Sequence, residues 1–102
     1  MPRLIVRIIG TKEGSEIESI LATVESEQYD PDHVDALVNV ALAGALQALQ
    51  SDNFDVLRSW CPEVSIVLTS DDEGIRPSVH LTPSTLHKLA DAGASFDFDP
   101  YV

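Results

Sequence analysis

Residues 81–100, LTPSTLHKLADAGASFDFDP, decide how the chain ends and therefore how the rest must pack. Thr82 precedes Pro83, a hydroxyl cap followed by an imino acid at the first helical position, where a missing N–H costs nothing. Leu86, Leu89 and Ala90 recur at helical spacing and are expected to face inward, and Gly93 supplies a left-handed stop. Beyond it the period drops to two. Phe96 and Phe98 fall on one side, with Asp97, Asp99 and Tyr101 on the other. This is the pattern of a closing strand with both phenyl rings on a core and a polar row turned to solvent. Pro100 ends the ladder and discourages a further strand from pairing there.

Working backwards, EVSIVLT (residues 63–69) alternates Val64, Ile66 and Leu68 with Ser65, Val67 and Thr69, the period of a half-buried strand. SDDEG turns the chain, and RPSVHL (residues 76–81) is expected to return as an antiparallel partner, at an edge because Pro77 cannot donate. Upstream, residues 30–50 predict a long helix: Asp30 as cap, Pro31 at the first position, Asp32 and Asp35 at the positive end of the dipole. Val34, Leu37, Val38, Ala41, Leu42, Ala45, Leu46 and Leu49 give it a wide apolar face, which Val40 and Ala43 carry nearly all round. Such a helix must be covered on more than one side. The cover is either the sheet plus the segment NFDVLRSW (residues 53–60) or a second copy of the chain, since Gly44 among alanines would admit another backbone. Residues 3–9, RLIVRII, predict a central strand ending at Gly10. Residues 15–26 admit two readings. Ser15 with Glu18 forms a capping box, and Ile17, Ile20, Leu21 and Val24 have helical spacing, which favours a helix; a strand from Ile20 with Ala22 and Val24 on one face also fits. The expected fold is α+β: one domain over residues 1–102, with a small antiparallel sheet of about four strands packed against a long central helix and a C-terminal helix.

Charge bounds the function classes. The formal net charge is −11, and residues 13–55 carry ten carboxylates with no Lys or Arg. Nucleic acid and anionic membrane surfaces repel such a chain, whereas a basic protein partner is attracted and its encounter accelerated. The bland alternative is that the acidity only keeps the protein soluble. The single cysteine, Cys61, rules out an intramolecular disulfide and is expected to be a partly buried thiol beside Trp60. MPRLIVRIIG is too short for a signal h-region, and the apolar stretch at residues 38–49 is too short to span a bilayer, so a reducing cytoplasm is the expected compartment.

The C-terminal residues Leu81, Thr82, Leu86, Leu89, Ala90, Gly93, Ala94, Phe96, Asp97, Phe98, Asp99, Pro100 and Tyr101 resemble the closing pattern of the bacterial domain-of-unknown-function 4279 family. The likeness covers about the last forty residues and, weakly, the first strand. Pro100 departs from the family's aliphatic residue, and the segment before the long helix looks shorter than usual, so that a family strand around residues 17–26 would be missing or reshaped. The resemblance implies an α+β fold and, because members are often described as possible immunity proteins of toxin systems, a binding role without catalysis.

Enzymatic signals are weak. His33, His80 and His87 lack a second His or Cys at ligand spacing, although His80 with Asp97 or Asp99 would make a zinc or acid–base cluster if strand register joined them. Neither the Asp71, Asp72, Glu73 turn nor Asp30, Asp32 and Asp35 follow a calcium-loop spacing. No phosphate loop or nucleophile motif is present. The sequence therefore predicts a non-enzymatic inhibitor of a basic partner, with no cofactor. Its expected contacts are Asp97, Asp99, Tyr101, Asp71, Asp72, Glu73, Asp30 and Asp32. The alternative is a homo-oligomeric structural or regulatory module of a bacterial cytoplasm with no toxin partner, such as a homodimer formed through the long helix.

Overall fold

A nine-residue strand, β1 (Arg3–Thr11), runs through the centre of the sheet in the computed structural model, which describes residues 3–12, 14–27, 31–69 and 79–100. The remaining elements are β2 (Glu18–Ser26), α1 (Pro31–Ala48), α2 (Phe54–Arg58), β3 (Glu63–Thr69), α3 (Pro83–Asp91) and β4 (Ser95–Pro100). The strand order is β2-β1-β3-β4. β1 is antiparallel to both neighbours, while β3 and β4 run parallel because α3 carries the chain back between them. The fold is α+β, and its sheet is mixed, not wholly antiparallel. The connection through α3 makes this possible, since parallel neighbours need a long crossover, usually helical, where antiparallel ones can be joined by a turn.

Leu4, Val6 and Ile8 of β1 and Val64 and Ile66 of β3 are fully buried against Val34, Val38, Ala41 and Ala45 of α1, Leu57 of α2, Leu89 of α3 and Ala92 at its C-terminal cap. Enclosing a side chain such as Leu57 completely contributes roughly 1.5–3 kcal/mol. The other side chains of these strands, including Ile5, Arg7, Ile9, Ser65 and Val67, are half-buried on the opposite face of the sheet.

Residues 18–26 form a strand, so the favoured helix is corrected. Ile8 pairs with Ala22 and Ile9 with Ile20, leaving Leu21 as an extra residue, a β-bulge. The bulge shifts the alternation by one, so Leu21, Ala22 and Val24 all pack on the core. Inserting one residue into a period of two imitates part of a helical spacing. Ile17 and Ile20, which completed that imitation, are 74% and 63% exposed. Ser15 makes a local turn instead of a capping box, its Oγ accepting from the Ile17 N–H at 3.1 Å.

Three other expectations are revised. Val79, His80 and Leu81 are not in a strand; β3 is flanked by β1 and β4, which leaves no ladder position for a hairpin partner, and residues 70–78 lie outside the described residues. Cys61 is exposed, held at φ 46° in the turn that follows α2. In α3 and at its C-terminal cap the inward residues are Thr85, Leu89 and Ala92, with Leu86 52% exposed and Ala90 also turned out.

α1 ends without a glycine. Gln50 adopts φ 55°, its N–H bonds the Gln47 carbonyl, and the Ser51 N–H bonds that of Leu46, a Schellman closure. The cover for α1 comes from within the chain: β1, β2, α2 and α3 all pack on it, leaving Ala36, Val40 and Ala43 outward. Gly44 faces Ala22 of β2, where an added Cβ would sit 3.4 Å from the alanine Cβ, an ordinary contact. Gly44→Ala is therefore expected to raise stability by up to about 1 kcal/mol in urea unfolding, because glycine weakens a helix interior by that amount. A destabilised variant would show that the helix and β2 lie closer than this spacing.

Candidate partner-binding surface

Two features build the end of the molecule that carries α3 and β4. The first is a polar clamp that fixes the rotation of α3. Asp35 Oδ1 accepts from the Thr82 N–H at 2.9 Å and lies 3.3 Å from the Thr82 hydroxyl, so a side chain of α1 caps the start of α3. Thr82 Oγ1 in turn accepts from the Thr85 N–H. One turn further along α1, Asn39 Nδ2 donates to Thr85 Oγ1 at 2.8 Å and to the Asp35 carbonyl at 2.9 Å, while Asn39 Oδ1 accepts from Lys88 Nζ at 2.8 Å. Thr85 is buried, and its hydroxyl is satisfied by this network. Burial alone would raise the Asp35 carboxyl. The bond from the Thr82 backbone and those from the Thr85 and Thr82 hydroxyls outweigh it, with the charge of a protonated His80 acting the same way, and hold the group below its ordinary carboxylate value.

The second feature follows from the first. With Thr85 turned to α1, Leu86 points away from the core, and a groove of about 510 Å³ opens between α3 and β4, lined by Val79, His80, Leu81, Leu86, Leu89 and Phe96. Phe96 is 43% exposed, which corrects the expectation that both rings are sunk; Phe98 packs on the core as expected. The two differ because Phe96 pairs with Val64 near the start of β4, beside the groove, whereas Phe98 pairs with Ile66 deeper in the sheet.

β4 ends the sheet, and among the described residues no strand lies on its outer side. The Ser95 N–H bonds the Pro62 carbonyl at 3.0 Å, so by alternation the backbone groups of Asp97 and Asp99 point to β3, while those of Phe96, Phe98 and Pro100 point outward. Pro100 thus occupies a position where its missing N–H removes no ladder bond. Asp97 is exposed and pairs with Ser65, placing it on the face of the sheet opposite the groove. His80, outside any strand, lines the groove, so it and Asp97 stand on opposite sides of the sheet instead of meeting. Among the described residues no group of three His, Cys, Asp or Glu is placed to hold a metal ion.

Of the contact residues expected from sequence, Asp97 is the one placed together with its side chain. Asp99 and Asp32 belong to β4 and α1 by backbone, with their side chains outside the described residues. Tyr101, Asp71, Asp72, Glu73 and Asp30 lie outside them altogether. The groove residues were missed because Leu86, Leu89 and Ala90 read as one inward face. The available signal was polar: Asn39 within an apolar helix and Thr85 at helical spacing from Leu89 imply a partnered pair that turns α3.

No helix among the described residues is long and apolar enough to cross a membrane. Compared with protein-family models, curated proteins and solved structures, the chain matches none.

Proposed function

We propose that the protein is a non-enzymatic binding protein that holds a basic protein partner at its α3–β4 end. The observation that carries this reading is the pair of exposed apolar side chains, Leu86 and Phe96, flanking a groove at the end of the sheet in a chain of net charge −11. An apolar centre gives an interface its affinity, and a surrounding acidic field gives it speed and sign selectivity. The C-terminal resemblance to a family often linked to toxin immunity supports a narrower form, in which the partner is a basic toxin or effector neutralised by occlusion in a bacterial cytoplasm.

The test is a pull-down against the products of neighbouring genes at low and high salt. A basic protein should be retained at low salt and released as screening rises. Asp97→Lys should slow its association several-fold and blunt the salt dependence. If no basic protein is retained at low salt, the reading fails.

A further inference from the structure

Leu86 and Phe96 border an apolar groove on one face of β4, Asp97 stands on the other face, and the backbone groups of Phe96 and Phe98 point outward between them. An extended chain laid along this edge would meet all three features at once. Its backbone would bond the outward N–H and C=O groups of Phe96 and Phe98. Its alternate side chains would fall into the groove against Leu86, Leu89 and Phe96, and the intervening ones beside Asp97. Resting on the partner-binding reading above, we infer that β4 takes an extended segment of the partner as an added strand, and that this segment alternates apolar with basic residues.

Charge chooses the occupant. A second copy pairing β4 to β4 would bring Asp97 towards its own counterpart and set two chains of net charge −11 edge to edge, which repels. A lysine-bearing or arginine-bearing strand reverses that sign. The apolar half of the alternation is required by the groove, because a uniformly basic segment would leave Leu86 and Phe96 in water.

The experiment uses a capped heptapeptide of alternating lysine and valine, its glutamate–valine counterpart as control, and two N-methylated forms of the lysine–valine peptide in which one or the other alternate set of amides is blocked. Binding to the full chain is followed by calorimetry and amide NMR. The lysine–valine peptide should bind and shift the Phe96 and Phe98 amides, and the glutamate peptide should not. One N-methylated form should lose at least about tenfold in affinity and the other less than about twofold, since only one set of amides can face β4. Leu86→Lys should weaken binding at least about tenfold, whereas Val40→Lys, an equally exposed change on α1, should leave it within about twofold.

Equal sensitivity to both N-methylation patterns overturns strand addition. So does the absence of binding at about 1 mM peptide in low salt. If the pull-down still captures a basic partner in either case, the partner reading stands and only the strand-addition mode falls. Should light scattering find the protein alone to be a dimer that Leu86→Lys dissociates, the groove belongs to a second copy and the inference is overturned.

Discussion

Gly10→Ala is expected to lower the stability of the fold by about 2 kcal/mol, within the range measured for overpacked sites, and to lower its melting temperature by about 10 °C. Gly10 is buried near the end of β1, where the chain following α2 crosses it. A Cβ there would lie 3.1 Å from Trp60 Cβ, 3.3 Å from the Trp60 carbonyl oxygen and 2.8 Å from Leu21 Cδ1. The leucine tip can swing aside. The tryptophan carbonyl is less free, because it accepts from the Thr11 N–H at 2.6 Å and so ties the α2–β3 connection to β1. Trp60 is the single tryptophan, so its fluorescence reports the disturbance directly. Gly14→Ala serves as the comparison: nothing lies near its Cβ position and φ is 84°, so it should cost only the backbone term, about 1 kcal/mol. Equal losses at the two glycines would mean that the Trp60 backbone does not press on Gly10.

Asp35→Ala should cost about 1.5–3 kcal/mol at neutral pH, the usual value of hydrogen bonds to an ionised group, with the further consequence that α3 loses its fixed rotation. The pH dependence separates this role from simple loss of packing. A carboxyl held below its ordinary value contributes stability that is fully present above about pH 4, the unfolded value, and is lost as pH falls through the folded value. The stability difference between the natural protein and Asp35→Asn should therefore be fully present above about pH 4 and shrink steadily as pH falls below it. Urea unfolding at a series of pH values measures it. A difference that stays constant down to pH values of about 2 would show that the charged carboxylate is not what caps α3. Because the same clamp turns Leu86 outward, Asp35→Ala should also weaken partner capture even where the chain remains folded.

Those two sites mark the division between sequence and tertiary structure. The ends of α3 were legible because they are local chemistry: Thr82 accepts from the Thr85 N–H, and Gly93 at φ 64° closes the helix as its position predicts. β1, α1 and β3 were legible for the same reason, since a single buried face writes its period into the letters. β2 was not, because one inserted residue, Leu21, breaks the period of two and counterfeits a helix. The end of α1 near residue 50 was legible as the end of its apolar face, but not that Gln50, at φ 55°, supplies the left-handed closure usually taken by glycine.

What the letters determined alone is the net acidity, the two ends of α3 and the alternating tail, the last two set by neighbours a few positions away. Only tertiary structure decided that β4 lies parallel to β3 at the end of the sheet and that Leu86 turns to solvent. The reason is distance along the chain. The rotation of α3 is fixed by Asp35 and Asn39, more than forty residues upstream, through hydrogen bonds that no local period records.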